Sequence, residues 1–265
     1  MSLLYERRLE SCYIERIYPY SESNAFLGVS ICSRLFSEKT LIALFDWCKV
    51  NVKSVYVLIA DEIQMYTFMA SKGLERKEAC AKALQIGDIK YRFIERVIKK
   101  GDYDNVRLLS WKAVALEPRF KTLLQRLRLL YGTEILFRRE VIKQILERNR
   151  RLPEGFRFAR IDSSDYDLAS LYILNELAVI LYFHLYFDPV CQYQISPLPM
   201  TPLLEILYDG TFLKDLLVPK KDIGYIEIMG EKDLTGRMIK VNTKGAPLQI
   251  EPPLLIVVDN SFTFL

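Results

Sequence analysis

Two residues with acid–base character sit inside the most apolar run of this chain. Residues 171–187 form that run, and Tyr172 and Glu176 lie within it, four positions apart. On a helix that spacing places both side chains on one face, one turn from each other. An unpaired carboxylate in apolar surroundings costs several kcal/mol or takes up a proton, so a glutamate kept there is a candidate for gripping a cation or moving a proton. A hydrogen-bonded structural glutamate, or one on a solvated helix edge, fits the same pattern. The second candidate is Ser30, which ends the short apolar stretch 24–30. Gly28, two residues earlier, leaves room for a ligand or another backbone to approach.

Other residues narrow the chemistry. The sole histidine, His184, lies in the apolar run and reads as a packed, neutral imidazole. A multi-histidine metal site is impossible, and a Ser-His-Asp triad would have to use this one residue. Nucleophilic chemistry here needs another proton acceptor: a carboxylate, a tyrosine or the substrate itself. The five cysteines, Cys12, Cys32, Cys48, Cys80 and Cys191, are odd in number and scattered. That argues against a disulfide framework and a thiolate zinc site and points to a reducing cytoplasm, so no metal is expected. The first residues carry no apolar h-region, so a secretory signal is not expected. No G-x-G-x-x-G, Walker A or G-x-S-x-G pattern occurs.

The elements that must position these residues read as α/β. Stretch 24–30 is a buried strand, 37–48 a helix with Ser37 as N-cap, and 54–60 a second strand rich in β-branched residues. Strand, helix, strand is the βαβ unit of a parallel sheet, whose ligands bind beyond the carboxyl ends of the strands. Ser30, Asp61 and Glu62 all fall on that edge. Residues 75–100 are helical, with a break expected near Gly87. Strand 106–111 follows, and 117–150 are helical again. Four prolines between 189 and 202 exclude a helix there. A short helix at 203–208 and strands at 12–18, 223–229, 237–241 and 254–258 complete the reading. No repeat or low-complexity linker interrupts residues 1–265, so a single domain is expected, with 231–265 a C-terminal β extension. The apolar run is at the short limit for a membrane span and contains Asn175, Glu176 and His184. A buried core helix fits better, and no membrane is expected.

Charge is unevenly spread. The net charge is +4, yet residues 119–160 hold twelve Lys or Arg against four Glu, a local balance of +8. Helix 88–100 is amphipathic, with Ile89, Phe93, Ile94 and Val97 on one face and Lys90, Arg92, Arg96, Lys99 and Lys100 elsewhere. Two basic helical stretches fit a polyanion surface that grips phosphates without reading bases. Ordinary solvated faces fit them equally well.

Three segments together resemble the cyclodipeptide synthases. Leu27, Gly28, Val29 and Ser30, with Phe36, Ser37 and Trp47 behind them, look like that family's nucleophile region. Tyr172 to Glu176 matches its Y-x-x-x-E signature, and Tyr193 matches its third tyrosine, with Tyr182 and Tyr186 the other tyrosines nearby. The basic helix 88–100 stands where the family has its tRNA-binding helix. The resemblance spans roughly residues 24–230. It implies a single Rossmann-like domain around a mostly parallel sheet, similar to the catalytic domain of class Ic aminoacyl-tRNA synthetases. It also implies two aminoacyl-tRNAs as partners, a 2,5-diketopiperazine as product, and no ATP, metal or other cofactor, because the esters arrive activated. By the same resemblance Ser30 carries the aminoacyl group as an ester, Glu176 and Tyr172 hold its α-amine, and Tyr193 assists proton movement. Gly28, Val55 and Val57 line the first side-chain pocket, and Trp111 replaces a tyrosine that holds the aminoacyl group in some members. Lys90, Arg92, Arg96, Lys99 and Lys100 contact tRNA. A monomer is the default expectation.

The sequence departs from the family pattern at three places. Ser33 stands where better-known members have asparagine, which places the chain nearer the subgroup lacking it. Gln194 follows Tyr193 where histidine or proline is usual. A tryptophan at 111 has no hydroxyl to offer. These departures sustain a second reading, a catalytically silent tRNA-binding protein of the same fold. A third, a different serine acyltransferase or hydrolase, lacks an elbow motif and a spare histidine.

Overall fold

The computed structural model describes residues 20–33, 35–151, 163–196, 201–208, 211–213, 215, 224–230 and 237–242. The predicted βαβ unit is β1 (Asn24–Ser30), α1 (Glu38–Asn51) and β2 (Ser54–Ala60). α1 starts at the expected cap, where Ser37 Oγ accepts from the Thr40 backbone N–H. Leu41, Leu44, Phe45 and Cys48 form its buried stripe. Then follow α2 (Gln64–Lys72), α3 (Arg76–Gly101), β3 (Val106–Ser110), α4 (Trp111–Ala115), α5 (Pro118–Thr133), α6 (Ile135–Arg151) and α7 (Ser163–Leu185). β4 (Tyr193–Ser196), α8 (Pro202–Tyr208), β5 (Gly224–Gly230) and β6 (Arg237–Asn242) complete the described chain. The strands expected at 12–18 and 254–258 lie outside the described residues.

The sheet order is β3-β2-β1-β4-β5-β6. Every pair is parallel except β5 with β6, so the sheet is a mostly parallel, Rossmann-like one with an antiparallel edge. The chain winds outward from β1 in one direction and then returns to add β4 on its other side. The crevice beyond the carboxyl ends of β1 and β4 is therefore the topological switch point, where such sheets bind ligands.

Side-chain alternation divides the core into two layers. Phe26, Leu58 and Ala60 face α7, while Ala25, Leu27, Val29, Val55, Val57 and Ile59 face α1 and α3. The apolar run is the body of α7. Its segment Tyr166–Leu185 is long and apolar enough to cross a membrane, but most of it is buried against the rest of the protein. A helix apolar all round needs such enclosure. Phe183 stacks on Phe26 with ring centroids 4.2 Å apart, locking α7 to the middle of β1. Each such buried ring contributes about 1.5–3 kcal/mol of burial free energy. His184 is fully buried, as the sequence led us to expect. Its Nδ1 lies 2.7 Å from the Cys191 carbonyl oxygen, which only accepts, so Nδ1 carries the proton.

The expected break in α3 is absent: the helix runs unbroken through Gly87. This glycine is a contact rather than a hinge. A Cβ built there would stand 2.3 Å from Asp61 Cβ, so only glycine lets α3 approach the residue that follows β2 so closely.

Candidate active site

Ser30 is the last residue of β1 and is half-buried at the switch point. Its register partner is Ala60, the residue before Asp61, so the ends of β1 and β2 lie level as expected. The chain turns directly after it. The Ser33 backbone N–H donates to the Ser30 carbonyl at 3.2 Å, and Ser33 Oγ accepts from the Leu35 N–H at 3.2 Å. Ser33 thus shapes the turn behind the serine.

α7 brings Tyr172 to this edge. The side chain is 2% exposed. Its Oη lies close enough to Ser30 and Arg148 for both to favour the phenolate, without meeting either in ordinary hydrogen-bond geometry. Burial dominates and raises the Tyr172 pKa; Arg148 opposes that rise and Glu176 adds to it. One turn further along α7, Glu176 keeps 42% of its side chain open. Burial raises its pKa, and Arg148 draws it back down.

Arg148 is the member of this group that the sequence reading missed. Its guanidinium carbon stands 3.4 Å from the centre of the Tyr172 ring, and Nη1 lies 3.7 Å from Glu176 Oε2. Burial disfavours its charge, but Tyr172 and Glu176 outweigh that and hold the guanidinium firmly ionised. A signal for it existed. Phe137, Val141 and Ile145 are the buried stripe of α6, and Arg148 is the next position on that stripe. An arginine placed where the helix otherwise buries apolar side chains must meet a partner inside. A small recess beside the cluster is lined by Thr67, Ile145, Arg148, Asn149, Ala169, Tyr172 and Ile173.

A strand-end serine thus lies near a core-helix tyrosine, and that tyrosine shares Arg148 with a carboxylate one turn on. Comparison with known proteins bears on this directly. Residues 16–183 match the sequence pattern of the family described as cyclodipeptide synthase. The chain belongs to that family. No curated protein matches the sequence. Among solved structures, a cyclodipeptide synthase from Bacillus thermoamylovorans superposes with TM-score 0.64 at 18% identity, covering 77% of this chain and 87% of that one. A Mycobacterium tuberculosis protein, whose structure relates cyclodipeptide synthetases to type I tRNA synthetases, gives 0.53 at 18%, covering 71% and 79%. A cyclodipeptide synthase from Candidatus Glomeribacter gigasporarum, bound to Phe-tRNAPhe, gives 0.57 at 14%, covering 88% and 95%.

Several of the expected site residues lie elsewhere in the fold. Val55 and Val57 do not line a pocket at Ser30. They pair with Ala25 and Leu27 and are fully buried on the opposite, α1–α3 face. A one-residue slip in reading a strand moves every side chain to the other face. Gly28 pairs with Leu58 and Ser30 with Ala60, so Leu58 and Ala60 are the β2 residues on the serine's side. Gly28 itself is exposed in mid-strand, and a Cβ there would meet only Phe26, at 3.4 Å.

Tyr193 does not reach the serine either. It is 2% exposed, packs on the α1–α3 side, and pairs with Ala25 near the start of β1. Five residues of extended strand separate that level from Ser30, roughly 16 Å. Tyr182 is ten residues beyond Tyr172 on α7, about 15 Å along the axis, and Tyr186 stacks under Arg119. Trp111 stands at the right edge, but β3 lies two strands from β1, about 10 Å. Its indole is 3% exposed and packs edge-on against Phe120 with centroids 5.9 Å apart, a core role.

The basic helix divides. Lys90 turns inward: Nζ donates to the Phe36 carbonyl at 3.1 Å and lies over the Phe93 ring, and burial lowers its pKa. It braces the segment after the serine and is not a free phosphate contact. Arg92, Lys99 and Lys100 are exposed, paired with Asp88, Glu95 and Glu38. Exposed pairs of this kind are worth at most about 1 kcal/mol, so a polyanion can displace them. Arg96 is exposed and carries no ion pair among the described residues.

Proposed function

We propose that this family member joins two aminoacyl-tRNAs into a 2,5-diketopiperazine through covalent intermediates on Ser30. The observation that carries the reading is Ser30 at the switch point of the sheet, with Tyr172 close to it and Glu176 one helical turn further along α7. Ser30 Oγ attacks the ester carbonyl of the first aminoacyl-tRNA. The Oγ–C bond forms, the bond to the tRNA ribose oxygen breaks, and the hydroxyl proton passes to that oxygen. The seryl ester keeps its α-amine toward Glu176, with the side chain over Gly28, Leu58 and Ala60. The amine attacks the second aminoacyl-tRNA, and the dipeptide's own amine then attacks the seryl ester, closing the ring and freeing Ser30. Each bond broken is an ester that arrives activated, so no nucleotide is consumed.

Support for the tRNA partner comes from the exposed cations of α3 and from the tRNA-bound relative. Ser33, in place of the family asparagine, supports a position nearer the subgroup lacking it, while Gln194 fits neither pattern. Mass spectrometry of medium from cells expressing the chain, beside Ser30→Ala, tests the reading. A cyclic dipeptide made only by the unaltered protein upholds it and names the amino-acid pair.

The distance of Tyr193 from Ser30 favours a second reading, a tRNA-binding protein without chemistry. Salt-dependent tRNA binding with no product and no seryl adduct distinguishes it.

A further inference from the structure

We propose that Arg148 is an electrostatic positioning residue that keeps the serine-bound aminoacyl group's α-amine neutral and nucleophilic; this rests on the reading of Ser30 and Glu176 above. A carboxylate alone is a poor partner for a nucleophilic amine. It binds the ammonium well and for that reason holds the proton that must leave before attack. Here the carboxylate does not stand alone. The Arg148 guanidinium covers the Tyr172 ring at 3.4 Å and reaches within 3.7 Å of Glu176 Oε2. A fixed cation thus borders the place where the ammonium would sit. It takes up part of the Glu176 charge and repels a second positive charge on the amine. Glu176 remains able to accept from both, since an ionised carboxylate offers about four acceptor positions.

In the step concerned, the neutral amine, its ammonium proton already lost to solvent, attacks the ester carbonyl of the second aminoacyl-tRNA. The C–N bond forms and the C–O bond to the ribose breaks. Glu176 takes the proton that the new amide nitrogen sheds and passes it to the departing ribose oxygen. Arg148 is not consumed and exchanges no proton.

The other charged or titratable groups around the cluster come from several elements. Tyr172 and Glu176 lie on α7, and Cys32 lies two residues past Ser30, with Lys72 from α2 and Lys90 from α3 near it. The Cys32 thiol is pushed up to about 11 by burial, and Lys90 is tied to the Phe36 carbonyl. The thiol therefore stays protonated near neutrality.

The test is the pH dependence of the second step, measured in single turnovers on enzyme already carrying an aminoacyl group, for the unaltered protein, Arg148→Met, Arg148→Gln and Arg148→Lys. Loss of the cation moves the rising limb upward by about one pH unit or more. The rate at pH 7 then falls about tenfold or more and recovers toward pH 9. Arg148→Lys keeps the limb near its original place. Should Arg148→Met fail to fold, Arg148→Gln against Arg148→Lys gives the same comparison at nearly constant size. A limb that stays in place when the charge is removed, or moves equally with Arg148→Lys, overturns the proposal. If the unaltered protein forms neither seryl ester nor cyclic dipeptide, it is the reading of the site that fails instead.

Discussion

Gly28 and Leu58 are register partners on β1 and β2, both on the face that carries Ser30. Enlarging or trimming Leu58 should therefore change which amino acid is accepted first. Leu58→Ala is expected to admit larger side chains and Leu58→Phe to exclude them, read from the masses of the cyclic products. Val57→Ala, on the other face, should leave the product pair unchanged and cost about 1–3 kcal/mol in thermal unfolding.

Glu176 should add its own ionisation to the acid side of the pH–rate profile, below the limb set by the amine. Burial raises its pKa, so its ionised form is lost as pH falls through a value above the ordinary carboxylate range, and the rate falls with it. Glu176→Gln should remove this contribution, leave the amine's limb, and lower the rate about a hundredfold or more, with the far-ultraviolet circular dichroism unchanged. A near-normal rate would take Glu176 out of the chemistry.

The fold was legible where local rules act alone. Residues 24–60 show their strand, cap, amphipathic helix and strand in sequence, and the apolar run is the buried helix it resembles. What was not legible depended on phase or on distant partners. Val55 and Val57 enter the expected pocket by resemblance alone, and order along the chain does not say which face of a strand meets α7. Tyr193 matched a motif by order along the chain, yet its pairing with Ala25 puts it at the far end of the strand. Arg148 was one of twelve basic residues between 119 and 160, and only its position on the Phe137–Val141–Ile145 stripe distinguished it.

Arg96 and Arg92 should matter for tRNA and for little else. Reversing both to glutamate is expected to weaken tRNA use about equally for every amino acid. It should also flatten the dependence on salt, by about one unit of slope for each phosphate no longer neutralised. Filter binding at several salt concentrations measures this. Lys90→Gln should instead lower thermal stability, since its ammonium is bonded to the Phe36 carbonyl.

Gly87→Ala should destabilise by about 1–3 kcal/mol, because its new Cβ meets Asp61 Cβ at 2.3 Å. Asp61→Gly in the same chain removes that atom and should restore part of the stability. A double-mutant cycle from denaturant unfolding gives the coupling; additive effects would show that α3 moves away instead.

The central claim is the seryl ester. The direct measurement is intact-protein mass spectrometry after mixing the purified chain with one aminoacyl-tRNA and quenching in acid, with peptide mapping and Ser30→Ala alongside. The account predicts a mass increase of one aminoacyl group, located on Ser30, absent from Ser30→Ala and discharged by a second aminoacyl-tRNA. A cyclic dipeptide produced with no adduct at Ser30, or undiminished in Ser30→Ala, would contradict it.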